Sequence, residues 1–478
     1  MASVVASDAT SGTMLELYDS APLNKRFWFA FAIISLVFVL EFFDLYIVGF
    51  LVAVLGPQWH LTYGQSALML LSAGVGSIAG SFFCGHLSDT WGRKAMIVFG
   101  TFACAAGSGF LAFTPDGNWE MFVAMRFLIG LGLGAAVAPA ITLAVELTPT
   151  RHRSVMPGLM IVFATVGILV ASGTAAWLLN LLGWRGIAFL GIAPLIPGVL
   201  TWLVAPESMR WLVSRQRAAE ARATIARQLE IPLEAVPATA EAVPQQEKPN
   251  LRELYSDPAR FWFSIIVGMC LSTAGYGVYL WGPTIVAMKM NMSVKDAGQI
   301  FFYVSLVGVT GKVIMSILPR YIGRRRVGEI CGYGIMITLA LAGWYNDSVY
   351  GTLPLFVVFL CIGALFFDGG HSSCSPYAAE IFPVRQAAGG VGLYQAANSV
   401  GKILGPLSMA FIAGADNLVS PKATAAAVFP AFLFLAFCGL CMGVAFTLYR
   451  NETRGRALVM DDLASPKVGV GSERVQTA

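Results

Sequence analysis

Twelve long apolar runs dominate the 478-residue chain, at about 27–55, 65–87, 95–114, 120–145, 155–182, 187–205, 260–288, 297–319, 328–345, 353–378, 387–413 and 425–448. Most reach the roughly 20 residues a helix needs to cross about 30 Å of hydrocarbon. A lone strand in lipid would leave its backbone groups unpaired, so each run is expected to be a helix. Only 12% of residues are charged, against about 25% in an ordinary soluble chain. The spacing therefore predicts an all-α membrane protein of twelve transmembrane helices, not two or three soluble domains.

The basic residues set the expected orientation. An even number of spans puts both termini on one side. The loops of that side hold Arg93, Lys94, Arg151, Arg153, the cluster from Arg210 to Arg260, Arg320, Arg324, Arg325, Arg326 and Arg385. The opposite loops hold only Arg185, Lys289, Lys295 and Lys422. Loops rich in Lys and Arg stay cytoplasmic, so both termini are expected there, in a cell inner membrane. The net charge of +4 is what such loops produce and calls for no nucleic-acid partner. The polar stretch from Met1 to Asn24 lacks a basic region followed by a short apolar core, and so does not read as a cleaved signal peptide. The cysteines (Cys84, Cys104, Cys270, Cys331, Cys361, Cys374, Cys438, Cys441) all fall in or beside apolar runs. They read as small buried hydrophobes, with no disulfide and no metal site expected.

The expected domains are a tail (1–26), a six-helix bundle (27–205), a polar loop (206–259), a second bundle (260–448) and a tail (449–478). The loop carries a helical pattern from Ser214 to Leu229, then a Pro/Glu/Gln-rich linker. The tail after Arg450 has the composition of a partly disordered segment. The two bundles repeat. Glu146, Pro149 and Arg151 follow span four as E-x-x-P-x-R, and Glu380, Pro383 and Arg385 follow span ten in the same pattern, 234 residues on. The same offset carries Gly158 to Gly392 and Gly167 to Gly401. Between spans two and three lies Gly85-x-x-x-Asp89-x-x-Gly92-Arg93-Lys94. Its counterpart, Ser316 to Arg325, keeps Gly323, Arg324 and Arg325 but has no acid.

These motifs resemble the major facilitator superfamily. Gly85, Asp89, Gly92, Arg93 and Lys94 match its loop signature. Arg126, Gly130, Gly132 and Gly134 match R-x-x-x-G-x-G-x-G on span four. Pro206, Glu207, Ser208, Arg210, Trp211 and Leu212 close the first half, and Asn451, Glu452, Arg454 and Gly455 the second. The nearest resemblance is to its aromatic-acid/proton symporters and organic-anion relatives, which carry D-G-x-D on span one. Here the pair is Glu41 and Asp44, with Phe42 in place of the glycine. The resemblance implies a transporter working by alternating access between the bundles, usually as a monomer. It also implies a conformational latch at Gly85, Asp89, Gly92, Arg93, Lys94, Glu146, Arg151, Glu380 and Arg385. The Gln-Gln pattern of the sugar-porter branch is absent from span seven.

Ionisable residues inside a span cost at least about 2.5–3.5 kcal/mol at its centre, so each needs a partner or a job. This chain has Glu41, Asp44, Arg126, Lys312, Asp368, His371 and Lys402. Glu41 and Asp44 are three apart and share a helix face. Two carboxylates so close in a low dielectric resist being charged together, so the pair can exchange a proton. Arg126 is permanently charged and could hold an acid deprotonated or attract an anion. Lys312 and Lys402 facing one cavity would favour a carboxylate, an arrangement similar to the cations of oxalate/formate exchangers on these two spans. Asp368 could neutralise either, and His371 could relay a proton. Tyr276, Tyr279 and Trp281 on span seven, with Tyr394, Gln395 and Asn398 on one side of span eleven, would supply the aromatic and polar wall of a small-molecule site. Catalysis is not indicated, since there is no phosphate-binding glycine loop, nucleophile–base arrangement or metal-ligand spacing. No cofactor is expected. The reading is proton-coupled symport of a small organic anion. The alternatives are carboxylate exchange, or symport of a neutral sugar or polyol with the lysines locked to Asp368 and Glu41.

Overall fold

The computed structural model describes residues 13–152, 156–239, 254–351, 353–382 and 386–452. The linker at 240–253, the tail beyond 452 and Arg385 lie outside them. The first bundle contains α2 (Lys25–Gln58), α3 (Tyr63–Trp91), α4 (Arg93–Ala112), α5 (Trp119–Leu147), α6 (Met156–Leu190) and α7 (Leu195–Leu203). The second contains α10 (Pro258–Lys289), α11 (Val294–Ile317), the short α12 (Pro319–Ile322), α13 (Arg324–Trp344), α14 (Leu355–Glu380), α15 (Ala387–Ala413) and α16 (Pro421–Leu448). Three further helices, α1 (Met14–Ser20), α8 (Met209–Ser214) and α9 (Ala218–Leu229), pack beneath the first bundle. A two-residue hairpin, Val349–Tyr350 with Leu353–Pro354, joins α13 to α14.

Helix starts follow local chemistry. Asn24, Thr62, Asn118, Ser293 and Ser420 each accept a backbone N–H of the first turn, and Asp257 does so ahead of Pro258. Span five runs helically into span six, with the break at Gly183, whose φ of +64° no ordinary side chain favours. Span six is itself interrupted. Residues 191–194 turn by short i→i−3 hydrogen bonds before α7 resumes at Leu195, with Pro194 and Pro197 denying the helix two N–H donors. The helical pattern expected from Ser214 to Leu229 begins only at Ala218, because the chain turns at Gln216 (φ +60°) between α8 and α9.

Close packing rests on the span-four glycines. A Cβ on Gly130 would stand 2.0 Å from the Ala73 carbonyl oxygen, and one on Gly134 2.2 Å from that of Ser77, both on α3. One on Gly132 would meet the Cys104 nitrogen of α4 at 2.6 Å. The motif thus seats α5 against two neighbours at once. The expected repeat is physical too. A Cβ on Gly167 would meet the Val39 oxygen of span one at 2.4 Å, and one on Gly401 the Met269 oxygen of span seven at 2.4 Å. Gly392 meets nothing within 4 Å.

The bundles join along α2–α10, α3–α15 and α6–α11. At the end away from the termini the closure is made by the main chain. Thr62 and Leu418 form an antiparallel bridge. Tyr63 N donates to Asn417 O at 2.9 Å, Gly64 N to Ala415 O at 2.8 Å and Val419 N to Leu61 O at 3.0 Å. Tyr63 also pairs its hydroxyl with Thr424 at 2.6 Å and lays its ring 5.4 Å from that of Trp281.

Candidate substrate and coupling site

The intramembrane charges fall into two places. The first lies inside the N-terminal bundle. Arg126 on α5 is fully buried and its Nη1 meets Asp44 Oδ2 of α2 at 2.8 Å, while also donating to the Asp44 carbonyl at 3.0 Å. Ser108 on α4 donates to Asp44 Oδ1 at 3.3 Å. Glu41, one turn earlier, is also fully buried, and neither carboxyl oxygen has a hydrogen-bond partner among the described residues. Arg126, expected either to hold an acid deprotonated or to attract an anion, thus pairs through Nη1 with Asp44 within the bundle, while its Nε and Nη2 are buried without a hydrogen-bond partner among the described residues. Of the two locks that a neutral-substrate reading expected, Lys402 with Glu41 is not formed among the described residues.

The second place is the seam between the bundles. Lys402 on α15 holds its ammonium 5.4 Å from the centre of the Tyr276 ring on α10, within reach of a cation–π attraction. No carboxylate stands within ion-pair distance of it among the described residues. Tyr276 stacks on Tyr46 of α2 with centroids 5.4 Å apart, and Tyr279 meets Tyr46 edge-on at 5.3 Å. Tyr46 was not singled out in the sequence, although it is two residues from Asp44. Only the fold shows that α2 turns Asp44 into its own bundle and Tyr46 toward the other. Lys312 on α11 reaches across to Thr165 Oγ1 of α6 at 2.5 Å and stands 3.9 Å from Asp368 Oδ1 of α14. Tyr279 donates to the other Asp368 oxygen at 2.5 Å. Asp368 is thus the counter-ion of Lys312, as one of the two expectations had it. His371, half-buried, engages its Nδ1 with the Phe367 carbonyl at 2.8 Å.

Other predicted wall residues are placed differently. Trp281 is buried beside the closure at the end away from the termini, and its Nε1 donates to the Pro406 carbonyl at 2.9 Å. Tyr394 and Asn398 are buried on the side of α15 that meets α10 at Gly268. Gln395 does not share that side. It is exposed, on the stripe of Lys402 two turns away. All eight cysteines are free thiols, six buried and Cys361 and Cys441 partly so.

The loop motifs build the same joint twice. Gly92 (φ +100°) and Gly323 (φ +90°) turn the chain between consecutive helices. Arg93 then pairs with Glu146 at 3.3 Å and approaches Asp89 at 3.7 Å, and Arg324 pairs with Glu380 at 2.8 Å. Glu207 accepts the backbone N–H groups of Arg93 and Lys94, and Glu452 that of Arg324. Burial pushes the Glu207 carboxyl above the ordinary range, against the N–H donors and Arg93 that pull it down. A side chain on either glycine would strike the facing glutamate at 2.3 Å. Arg151 is exposed in a 3₁₀ turn after α5. Gly85 lies within α3.

Two bundles of six spans, each with its own buried acid–base pair and an aromatic seam between them, define a membrane transporter of the major facilitator type. The chain belongs to the family described as "Sugar (and other) transporter", whose model matches residues 29–460. It is 26% identical over 404 residues to the 4-hydroxybenzoate transporter PcaK of Pseudomonas aeruginosa, covering 81% of this chain and 86% of that one. It is 24% identical to the niacin transporter NiaP of Acinetobacter baylyi (92% and 97% covered) and 25% identical to a gallate transporter of Pseudomonas putida (81% and 86%). Among solved structures, the inward open xylose transporter XylE from E. coli superposes with a TM-score of 0.69 at 17% identity, covering 90% of this chain and 98% of that one. The family is one of transporters, not enzymes.

Proposed function

We propose that this protein carries a small organic anion, an aromatic or short carboxylate, together with protons, by alternating access. It would work as a monomer in a cell inner membrane with both termini cytoplasmic. The observation that carries this reading is Lys402, a cation at the bundle seam with an aromatic face beneath it and, among the described residues, no carboxylate partner. A substrate carboxylate would take the ammonium, and its apolar body the Tyr276–Tyr46 stack, with Gln395 on the approach. Lys312 is a second cation near the seam, already shared between Thr165 and Asp368. The names of the relatives support the substrate class, since 4-hydroxybenzoate, niacin and gallate are all aromatic carboxylates.

Asp44 is the proton acceptor in this reading. A proton there removes the countercharge of Arg126, and α2 connects that change to Tyr46 two residues along. Glu41 is the neighbouring acid, and Asp368 with His371 the pair that responds on the other side of the seam. The Arg93–Glu146 and Arg324–Glu380 joints, with Asp89, Lys94, Arg151 and Arg385, form the latch of one conformation. With the end away from the termini closed, exchange of substrate takes place on the termini-bearing side.

The test is uptake into proteoliposomes under an imposed pH gradient, with labelled benzoates, short dicarboxylates and sugars. External acid drives uptake of a carboxylate, and Lys402→Gln lowers it at least tenfold, as expected for losing a charged hydrogen bond of about 1.5–3 kcal/mol. Exchange independent of the gradient would mean antiport. Sugar uptake indifferent to Lys402→Gln would overturn the anion reading.

A further inference from the structure

At the termini-bearing edge of the N-terminal bundle, outside the transport seam, lies a cavity of about 160 Å³. Its walls come from the first turn of α4, the end of α7 and one face of α9. They include Lys94, Leu203, Val204, Glu207, Arg227 and Gln228. Two cations from different elements, Lys94 and Arg227, therefore converge on one hollow. Among the described residues neither side chain makes a hydrogen bond or an ion pair. The acid in the wall, Glu207, accepts the backbone N–H groups of Arg93, Lys94 and Ser208. Glu207 offsets part of the positive charge in the hollow, but two cations face it against one acid whose oxygens are taken by backbone N–H groups, and a further anion between the cations turns their repulsion into binding.

We propose that this cavity binds a phosphate group through Lys94 and Arg227, and that the phosphate is the headgroup of a membrane lipid. The rim argues for the lipid. Trp202, Leu203 and Val204, at the end of α7, are 63%, 67% and 48% exposed, an apolar patch directly beside the cationic hollow. Lys94 is the second residue of its membrane helix, the depth at which headgroups lie. A ligand with an anionic head and an apolar tail matches both surfaces, and basic pockets at this level are where such heads bind. Bound there, it would fasten α9 to α4 and α7.

The experiment is native mass spectrometry of the full-length protein in detergent, titrated with short-chain phosphatidylglycerol, alongside thermal unfolding with inorganic phosphate. Arg227→Gln is compared with Arg217→Gln, an arginine of the same segment that pairs with Glu220 outside the cavity. Saturable lipid binding is expected in wild type and Arg217→Gln, weakened roughly tenfold in Arg227→Gln, the loss of one charge-assisted contact. Lys94→Gln is the second variant if Arg227→Gln is not monodisperse. Stabilisation by inorganic phosphate that needs Arg227, without lipid binding, would keep the phosphate site and overturn the lipid. Equal binding by all variants, or none by wild type, would overturn the site.

Discussion

At the scale of single residues, the buried ion pair is where stability and transport can be separated. Asp44→Asn leaves the Arg126 guanidinium buried without its countercharge, a change that costs about 3–5 kcal/mol where such pairs are broken. Thermal unfolding in detergent should show the loss. Asp44→Leu combined with Arg126→Met should recover most of the stability, because an apolar pair of similar volume needs no countercharge, yet proton-driven uptake should stay absent. Recovery of uptake in the double variant would remove the pair from the coupling mechanism. The sequence named every one of these charges, since ionisable residues stand out in apolar runs. It did not say who pairs with whom. A span that is apolar all round has no readable polar face, so nothing local showed that Arg126 points at Asp44 and not at the seam. The same blindness hid Tyr46 and put Gln395 on the wrong side of its helix.

At the scale of elements, glycine decides how near two helices come. Gly130→Ala puts a methyl group where the Ala73 carbonyl now lies, 2.0 Å from the new Cβ. Backbone cannot give way as a side-chain tip can, so the α3–α5 crossing must open, at about 1–3 kcal/mol. Gly392→Ala, helical and with nothing within 4 Å, should be neutral or slightly stabilising, since alanine is the better helix former. Comparing the two unfolding temperatures checks the argument. The element count and most ends were legible, because span length, caps and basic loops are local signals. The interruption of span six was not read, although Pro194 and Pro197 signal it, because the residues around them are as apolar as a continuous helix would have. The break in the loop helix was hidden too, because Gln216 is not a residue type that announces a positive φ.

At the scale of the molecule, the proposed alternating access opens the seam in turn at its two ends, and the end away from the termini is shut here. Cysteines replacing Thr62 and Leu418, partners in the antiparallel bridge, stand in a pairing whose Cα separation of about 4.5–5.5 Å falls in the disulfide range. Oxidation should stop uptake and a reductant restore it. Uptake unaffected by complete cross-linking would show that this end never needs to part. The three hydrogen bonds of that closure run from main chain to main chain, which has a consequence for anyone mapping the transporter by mutagenesis. An alanine scan through 61–64 and 415–419 removes none of the N–H or C=O groups that make those bonds; only Gly64→Ala presses on one of them, with its new Cβ 3.1 Å from the Ala415 carbonyl oxygen. Only a residue without an N–H can delete one. Tyr63 opens α3, where a proline is tolerated, so Tyr63→Pro should free the closure beyond whatever Tyr63→Ala does. Cysteine-accessibility labelling from that side would report the difference. The part of the gate that does the holding is thus nearly silent in a genetic screen, and segments that look dispensable there can still set how often the door opens.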